Sequence, residues 1–389
     1  MSAPGAHTWP ALLTRLLAGD DLSADETSWA MREMMSGDAT PAQIGGFLVA
    51  LRAKGETVTE LRALADVMLE HALPIEVSGP TLDIVGTGGD MAGTVNISTM
   101  SAICIAATGV RVVKHGNRAS SSKSGSADVL ESLGVSLSLP ADVVGEIADR
   151  AGITFCFAQT FHPSFRHTAA PRRELGVGTA LNVLGPMTNP SRPTYSVVGV
   201  ADPRVAPLMA GVFADRGTTA LVFRGDDGLD ELTVADSSHV WWVAGGSIRE
   251  LDLAPEQLGL TRSPLDSLRG GDADFNADVA RRLLAGERGP VRDAVVLNAG
   301  AAVALAQTGP HHPDDAVAAV RAGMDTVEEV LDSGRAAEQL ERWVTATREA
   351  RRKSVSAPQT RIPTEPGRAV PGASGAAARR RRPPASRLS

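Results

Sequence analysis

Cysteine and aromatic residues are scarce in this chain of 389 residues, which has two cysteines, one tyrosine, five tryptophans and eight phenylalanines. With aromatics at 4%, the interior has to be filled by aliphatic side chains and alanine. Cys104 and Cys156 stand among apolar neighbours with no CxxC spacing and no adjacent histidine, so they read as small buried hydrophobes in preference to reactive thiols. Long apolar runs are missing too. The longest candidate, Met100 to Val113, is interrupted by Ser101, Thr108, Gly109 and Arg111, and a bilayer span needs about 20 apolar residues. No basic segment leading into an apolar stretch and a small-residue cleavage site opens the chain, so the cytoplasm is the expected location and no membrane partner is expected. A net positive charge is missing from all but the carboxyl-terminal stretch. Residues 351–389 hold ten Lys or Arg against one acid, Glu365, a net +9 that leaves residues 1–350 at −16. An acidic body argues against a specific nucleic-acid partner.

What is present is ordinary globular material, 43% hydrophobic and 21% charged, in a chain long enough for a large core and a satellite domain. The first 75 or so residues have helical texture. Ser23 with Glu26, Thr40 with Gln43 (Pro41 following at the first helical position) and Thr57 with Glu60 form three capping boxes, each satisfying backbone N–H groups that a helix start leaves unpaired. Ile44, Phe47, Leu48 and Leu51 make one apolar stripe, and Leu61, Leu64, Ala65, Met68 and Leu69 make the next. From Thr81 the texture becomes α/β. Strands are expected at Leu82–Val85, Val110–Val113, Gly152–Ala158, Ser196–Val200 and Thr219–Phe223. Helices are expected at Ser98–Thr108 and Arg204–Asp215, and a hairpin turning at Gly245-Gly246. Helices return after Asp274, the last from about Arg335 to Arg348. The expected fold class is α/β, with a small amino-terminal helical domain and a larger α/β domain around a mixed, mostly parallel central sheet. The boundaries are 1–78 for the helical domain (completed by helices from 165–195), 79–350 for the α/β domain, and 351–389 for a disordered basic tail, rich in Pro, Ser, Gly, Ala and Arg.

Three segments have the chemistry of anion sites. Gly86-Thr87-Gly88-Gly89-Asp90 joins a strand to a helix, where glycines let backbone N–H groups face an anion, although a tight turn uses the same residues. It is neither a Walker loop nor a Rossmann glycine pattern. Asn96-Ile97-Ser98-Thr99 opens the next helix, where free N–H groups and the dipole favour phosphate, and where Ser98 can equally be a plain cap. The run Lys114-His115-Gly116-Asn117-Arg118-Ala119-Ser120-Ser121-Ser122-Lys123-Ser124-Gly125-Ser126 puts three cations and five hydroxyls on a loop expected at a strand's carboxyl end, where α/β sheets bind ligands. Three such segments within about 40 residues imply a ligand with more than one phosphate.

These runs, with Arg172-Arg173-Glu174-Leu175-Gly176, Leu184-Gly185-Pro186-Met187-Thr188-Asn189-Pro190 and Gly228-Leu229-Asp230-Glu231-Leu232, resemble the anthranilate phosphoribosyltransferase family, in the family's order and over roughly residues 10–345. The resemblance implies the phosphoribosyltransferase and nucleoside phosphorylase type of fold. It assigns phosphoribosyl pyrophosphate to Gly86, Gly89, Asp90, Thr94, Asn96, Ile97, Ser98, Thr99, Lys114, His115, Gly116, Asn117, Arg118, Ala119, Ser120, Ser121, Ser122 and Ser126. It assigns anthranilate to Gly86, Asn117 and Arg172, with Arg172 facing the carboxylate, and it assigns magnesium, two ions per subunit, to Ser98, Asp230 and Glu231. His162 lines the same pocket or is a packed loop histidine. The family commonly dimerises through its amino-terminal helices, which places Leu12, Leu13, Leu16 and Leu17 at or near a twofold contact. Met91-Ala92-Gly93, Leu181 and Met187 depart from the family's usual residues and bear on pocket shape.

No Ser-His-Asp arrangement and no general base stands out, and the implied reaction needs no covalent nucleophile. Two other functions remain from the sequence: a pyrimidine-nucleoside phosphorylase of the same fold, whose Lys-His-Ser loop differs from the one here, and a nucleic-acid-binding, non-enzymatic paralogue, against which the acidic body and Asp230-Glu231 weigh.

Overall fold

The computed structural model of the protein describes residues 7–119 and 123–356. Four helices come first: α1 (Trp9–Ala18), α2 (Ala24–Ser36), α3 (Pro41–Lys54) and α4 (Val58–Glu70). The last three start at the expected capping boxes, and in each the threonine or serine accepts from the N3 backbone while the N3 side chain accepts from the cap N–H. The α/β part then runs β1 (Leu82–Gly86), α5 (Ile97–Ala107), β2 (Val112–Gly116), α6 (Ser126–Leu133), α7 (Ala141–Ala151), β3 (Ile153–Phe157), α8 (Ala158–Phe161), α9 (Ala169–Leu175), β4 (Tyr195–Gly199), α10 (Ala206–Asp215) and β5 (Thr219–Gly225). The hairpin β6 (Ser238–Ala244) and β7 (Ser247–Leu253) follows, then α11 (Ala273–Leu284), α12 (Pro290–Thr308), α13 (Ala316–Asp332) and α14 (Arg335–Ser356). The strands form one sheet in the order β3-β2-β1-β4-β5-β6-β7, parallel from β3 to β5 and antiparallel over the hairpin. The chain leaves β1 toward β2 and β3 and then returns to lay β4 on the other side of β1, so the order reverses between β1 and β4.

Strand alternation sorts the sheet's side chains into two cores. Val197, Leu221, Phe223, Val240 and Trp242 face a core built with α5, α6, α7 and α11 to α14. Their neighbours Val198, Ala220, Val222, Trp241 and Val243 face a second core built with α10 and the four amino-terminal helices. Residues of the 165–187 stretch (Phe165, Leu175, Leu181, Leu184 and Met187) pack into that second core. Cys104 and Cys156 are free and buried, and burial pushes the Cys104 thiol up to about 12, as small apolar side chains in a core should behave.

Between β1 and β2 the parallel ladder lapses after a single pair, Leu82 with Val112. Side chains take over. Asp83 Oδ1 accepts from His115 N at 2.9 Å, Asn189 Nδ2 donates to Val113 O at 2.7 Å and to Asp83 Oδ2 at 2.9 Å, and Lys114 Nζ donates to Ile84 O at 2.5 Å. Burial pushes the Asp83 carboxyl up to about 6, against the pull of Lys114.

Three expectations need correction. β2 begins two residues later than expected and runs through Lys114, His115 and Gly116, so these belong to the sheet and not to the loop after it. The polar Asp83–Asn189 link gives a strand's hydrogen bonding to residues that the sequence shows only as charged. The last helix runs on to Ser356, past the expected end at Arg348, with Ala350 buried against the main core. The basic tail beyond it, like Ser120, Ser121 and Ser122, lies outside the described residues. Finally, Leu12 and Leu16 are buried inside the protomer against their own helices, and of the four leucines proposed for a subunit contact Leu17 alone is strongly exposed, at 79%. Helical periodicity marks a face that must be covered and is silent about which chain covers it.

Among the described residues no helix is long and apolar enough to cross a membrane. Because Leu12 is buried in the second core, Leu12→Ala should lower the free energy of unfolding in urea by about 2–5 kcal/mol, the cost of an unfilled core cavity. Leu17→Ala should change it by less than about 0.5 kcal/mol at a protein concentration where the chain is monomeric.

Candidate active site

Gly86 and Gly199 are register partners at the carboxyl ends of β1 and β4, where the strand order reverses. Neither position has room for a side chain. A Cβ on Gly86 would overlap the Asp230 carboxylate, and one on Gly199 would overlap the Asp230 backbone carbonyl. The Asp230-Glu231 turn, carried from β5 by Gly225–Leu229, is thus laid directly across the end of the sheet. Asn298 on α12 holds it there: its Oδ1 accepts from Leu232 N at 2.9 Å and its Nδ2 donates to Leu232 O at 2.8 Å and to Ala294 O at 2.9 Å.

The two carboxylates reach different segments. Asp230 Oδ2 accepts from Gly88 N at 2.6 Å, and Glu231 Oε1 accepts from Ser98 N at 3.1 Å. The glycine loop and the start of α5 are therefore fastened to one acidic pair. Asp230 and Glu231 are 8% and 7% exposed. Burial pushes both carboxyls well above the usual range, reinforced for Asp230 by the charge of Asp90 and for Glu231 by that of Asp230. The nearest cation is Lys114, itself 1% exposed, whose Nζ also reaches Ser98 Oγ at 3.2 Å. Burial holds Lys114 below its ordinary value, opposed by Asp83, Glu231 and Asp230.

Around this centre the loop from Gly88 to Gly93 alternates into left-handed backbone, at φ +72° (Gly88), +90° (Gly89), +59° (Met91) and +63° (Gly93). Such alternation turns successive N–H groups into one concavity that suits an anion. Asp90 Oδ1 accepts from Ala92 N, and the Met91 side chain is 84% exposed. Asn96 caps α5 without a side-chain cap bond and instead donates to Ser124 O at 3.2 Å. Ile97 and Thr99 point into the core at 1% and 0% exposure, so only their backbone is available to a ligand. Gly116 abuts the Phe155 ring, and a Cβ there would sit 2.9 Å from it and 3.4 Å from Ser126. Asn117 Oδ1 accepts from Arg118 N. Arg118 is not a free phosphate cation. It lies over the Phe157 ring, is paired with Asp128 at 2.8 Å and Glu131 at 2.7 Å, and its charge is reinforced by those bonds. Asp128 also accepts from Ala119 N and Gly125 N, shaping the entry to α6.

His115 and His162 lie edge to face with ring centroids 5.1 Å apart. His115 Nδ1 meets Gly185 O at 2.9 Å, which makes that nitrogen the donor of a neutral ring. Burial holds His115 down to about 3 and His162 down to about 4. Arg172, on α9, stacks its guanidinium 4.8 Å over the Phe165 ring, and among the described residues it has no carboxylate within ion-pair distance. Sequence reading missed Gly199, Asn298 and the Arg269–Asn276 stretch. Thr94 bridges to Arg269, and Gly270 N donates to Gly93 O at 2.8 Å. A cavity of about 210 Å³ opens between Gly93-Thr94, Lys123-Ser124 and Arg269–Gly271.

Comparison with known proteins matches this arrangement. The glycosyl transferase family a/b domain matches residues 78–337, and the helical bundle domain of the same family matches residues 10–72. An anthranilate phosphoribosyltransferase from a Nocardioides species is 61% identical over 87% of this chain and 99% of its own length. The chain belongs to the anthranilate phosphoribosyltransferase family. A crystal structure of the Thermus thermophilus member is 43% identical and superposes with a TM-score of 0.80 over 87% of this chain and 99% of the other. The Saccharomyces cerevisiae member, solved in complex with PRPP and Mg, is 26% identical with a TM-score of 0.79 over 88% and 98% of the two chains.

The donor set here fits magnesium. Two adjacent carboxylates are buried against a third, Asp90, with Lys114 as their counter-charge, and an added cation relieves that repulsion. Among the described residues no three or more His, Cys, Asp or Glu side chains converge into a cage, and magnesium is commonly held by one or two carboxylates together with waters and substrate phosphates. In this family member the glycine pair should be intolerant of any side chain. Gly199→Ala should cost about 1–3 kcal/mol of stability in urea or thermal unfolding as the Asp230 backbone is pushed aside. Gly178→Ala, which meets nothing within 4 Å, should be near neutral.

Proposed function

We propose that this chain transfers the phosphoribosyl group of 5-phosphoribosyl 1-pyrophosphate to the amino group of anthranilate, giving N-(5-phosphoribosyl)anthranilate and pyrophosphate, in tryptophan biosynthesis. The observation that carries the reading is the Asp230-Glu231 pair laid over the Gly86–Gly199 switch point and fastened to both anion-type segments, Gly88 and Ser98. The bond from ribose carbon 1 to the pyrophosphate oxygen breaks, the bond from carbon 1 to the anthranilate nitrogen forms, and the amine loses a proton. The leaving group departs as an anion, so N–H groups of the left-handed loop aimed at it stabilise the transition state more than the ground state. Magnesium, two ions per subunit in this reading, is held by Ser98, Asp230 and Glu231, and when bound it neutralises charge on the pyrophosphate. Phosphoribosyl pyrophosphate lies along Gly86–Asp90, Thr94–Thr99 and the Lys114–Ser126 segment. Lys114 acts from beneath, balancing the acidic pair, and does not reach the ligand as a free loop cation.

Anthranilate sits toward Gly86, Asn117 and Arg172. Burial with no carboxylate partner among the described residues leaves the Arg172 guanidinium, braced on Phe165, suited to an incoming carboxylate. The neutral His115–His162 pair supplies an uncharged wall that does not attract the pyrophosphate. The enzyme works in the cytoplasm as a homodimer, meeting its twin through the outer side of α1 and α3, where Leu17 and Val49 are exposed at 79% and 43%.

Anthranilate fluorescence should fall when phosphoribosyl pyrophosphate and magnesium are added together and stay constant if either is omitted, and a constant signal with all three present would overturn the reading. Arg172→Ala should raise the Michaelis constant for anthranilate about 10- to 150-fold, the loss of one charge-assisted hydrogen bond, and leave that for phosphoribosyl pyrophosphate nearly unchanged. The opposite pattern in steady-state kinetics would place the acceptor pocket elsewhere.

A further inference from the structure

Asn276, the fourth residue of α11, is 3% exposed and stands 180 residues from the segment it touches. Its Oδ1 accepts from Gly271 N at 2.8 Å, and its Nδ2 donates to Asn96 Oδ1 at 2.8 Å. Asn96 in turn donates from Nδ2 to Ser124 O at 3.2 Å. The orientation of both amides is fixed from the ends. A backbone N–H at Gly271 demands an oxygen, a backbone carbonyl at Ser124 demands an N–H, and the middle bond then has to run from Asn276 to Asn96. The result is one directional chain of three hydrogen bonds joining the Leu268–Gly271 turn, the start of α5 and the end of the Lys114–Ser126 segment. It runs along the wall of the cavity that Thr94, Lys123, Ser124 and Arg269 also line. The turn itself is clamped to the glycine loop: Val95 N donates to Leu268 O at 2.9 Å, and a Cβ on Gly270 would come within 2.6 Å of Thr94 O.

We propose that Asn276 is a positioning residue for phosphoribosyl pyrophosphate, acting through Asn96. It holds the Asn96 carboxamide with its N–H side toward Ser124, which keeps the two phosphate-side segments at a fixed separation before the ligand arrives. The proposal rests on the phosphoribosyl-transfer reading above. With Asn276 removed, the Asn96 carboxamide loses the donor that braces its oxygen and can rotate away from Ser124, and the segments lose their link. A residue that only stabilised α11 would alter the melting temperature and leave substrate affinities alone.

The test is a double-mutant cycle on Asn96→Ala and Asn276→Ala, read by calorimetric titration of phosphoribosyl pyrophosphate with magnesium and by steady-state kinetics. Asn276→Ala is expected to weaken phosphoribosyl pyrophosphate about tenfold, the loss of one buried hydrogen bond, with the Michaelis constant for anthranilate unchanged. In the Asn96→Ala background the same substitution should add no further weakening. Additive effects, or unaltered affinity in Asn276→Ala, would overturn the proposal. So would Asn276→Ala and the smaller change Asn276→Ser both melting far below wild type, since the role would then be structural. Wild-type protein that binds phosphoribosyl pyrophosphate yet forms no product would contradict the transfer reading and leave the binding cycle still decisive for Asn276.

Discussion

The closeness of Asp230 to two glycines sets the rest of the site. Gly86 and Gly199 end adjacent parallel strands at the point where the sheet order reverses, and their missing side chains leave room for an acidic turn to lie across the sheet. Buried carboxylates so placed cost free energy unless they are bonded or neutralised. The bonds come from Gly88 N and Ser98 N, which fixes the glycine loop and the start of α5. The charge is met partly by Lys114, and in the proposed reading a magnesium ion would meet the rest.

The sheet has to open for this to work. Asp83, Lys114 and Asn189 replace the lapsed hydrogen bonds between β1 and β2, so the strands stay together although the ladder ends after one pair. The chain that passes from β3 back to β4 provides Arg172 and His162, and His162 meets His115 of β2. A nucleophile is absent from this inventory and is unnecessary. What the fold supplies is position, N–H groups and a controlled balance of charge, the contributions on which transfer through a cationic ribose depends.

Much of this was legible in the sequence, and the pattern of what was not is physical. Capping boxes at Ser23, Thr40 and Thr57 could be read because both partners lie within one turn. The Gly86–Asp90 loop and the Asn96–Thr99 helix start stand out as anion-type segments by residue type, with a tight turn and a plain cap as equally local readings, whereas Asp230-Glu231 is singled out only by the family resemblance. Lys114 and His115 read as loop residues in the sequence because their partners, Ile84 O for Lys114 and Asp83 for His115, are brought to them only by the fold. Gly199 gave a signal that went unused: a glycine inside a strand pattern often marks close approach of another backbone. Asn276 and Asn298 gave none, since the groups they hold are 180 and 66 residues away and an asparagine on a helix has no local mark of what it clamps. Leu12 and Leu16 show the same limit at the level of packing. Their stripe required a partner, and the partner was their own chain.

The central claim is that Asp230 and Glu231 hold the metal that meets the pyrophosphate. Crystals grown with phosphoribosyl pyrophosphate and manganese in place of magnesium, measured for anomalous scattering, test it most directly. The account predicts anomalous density within about 2.0–2.3 Å of carboxylate oxygens of Asp230 or Glu231 and of a pyrophosphate oxygen. Strong density coordinated elsewhere, with both carboxylates left bonded only to Gly88 and Ser98, would contradict it.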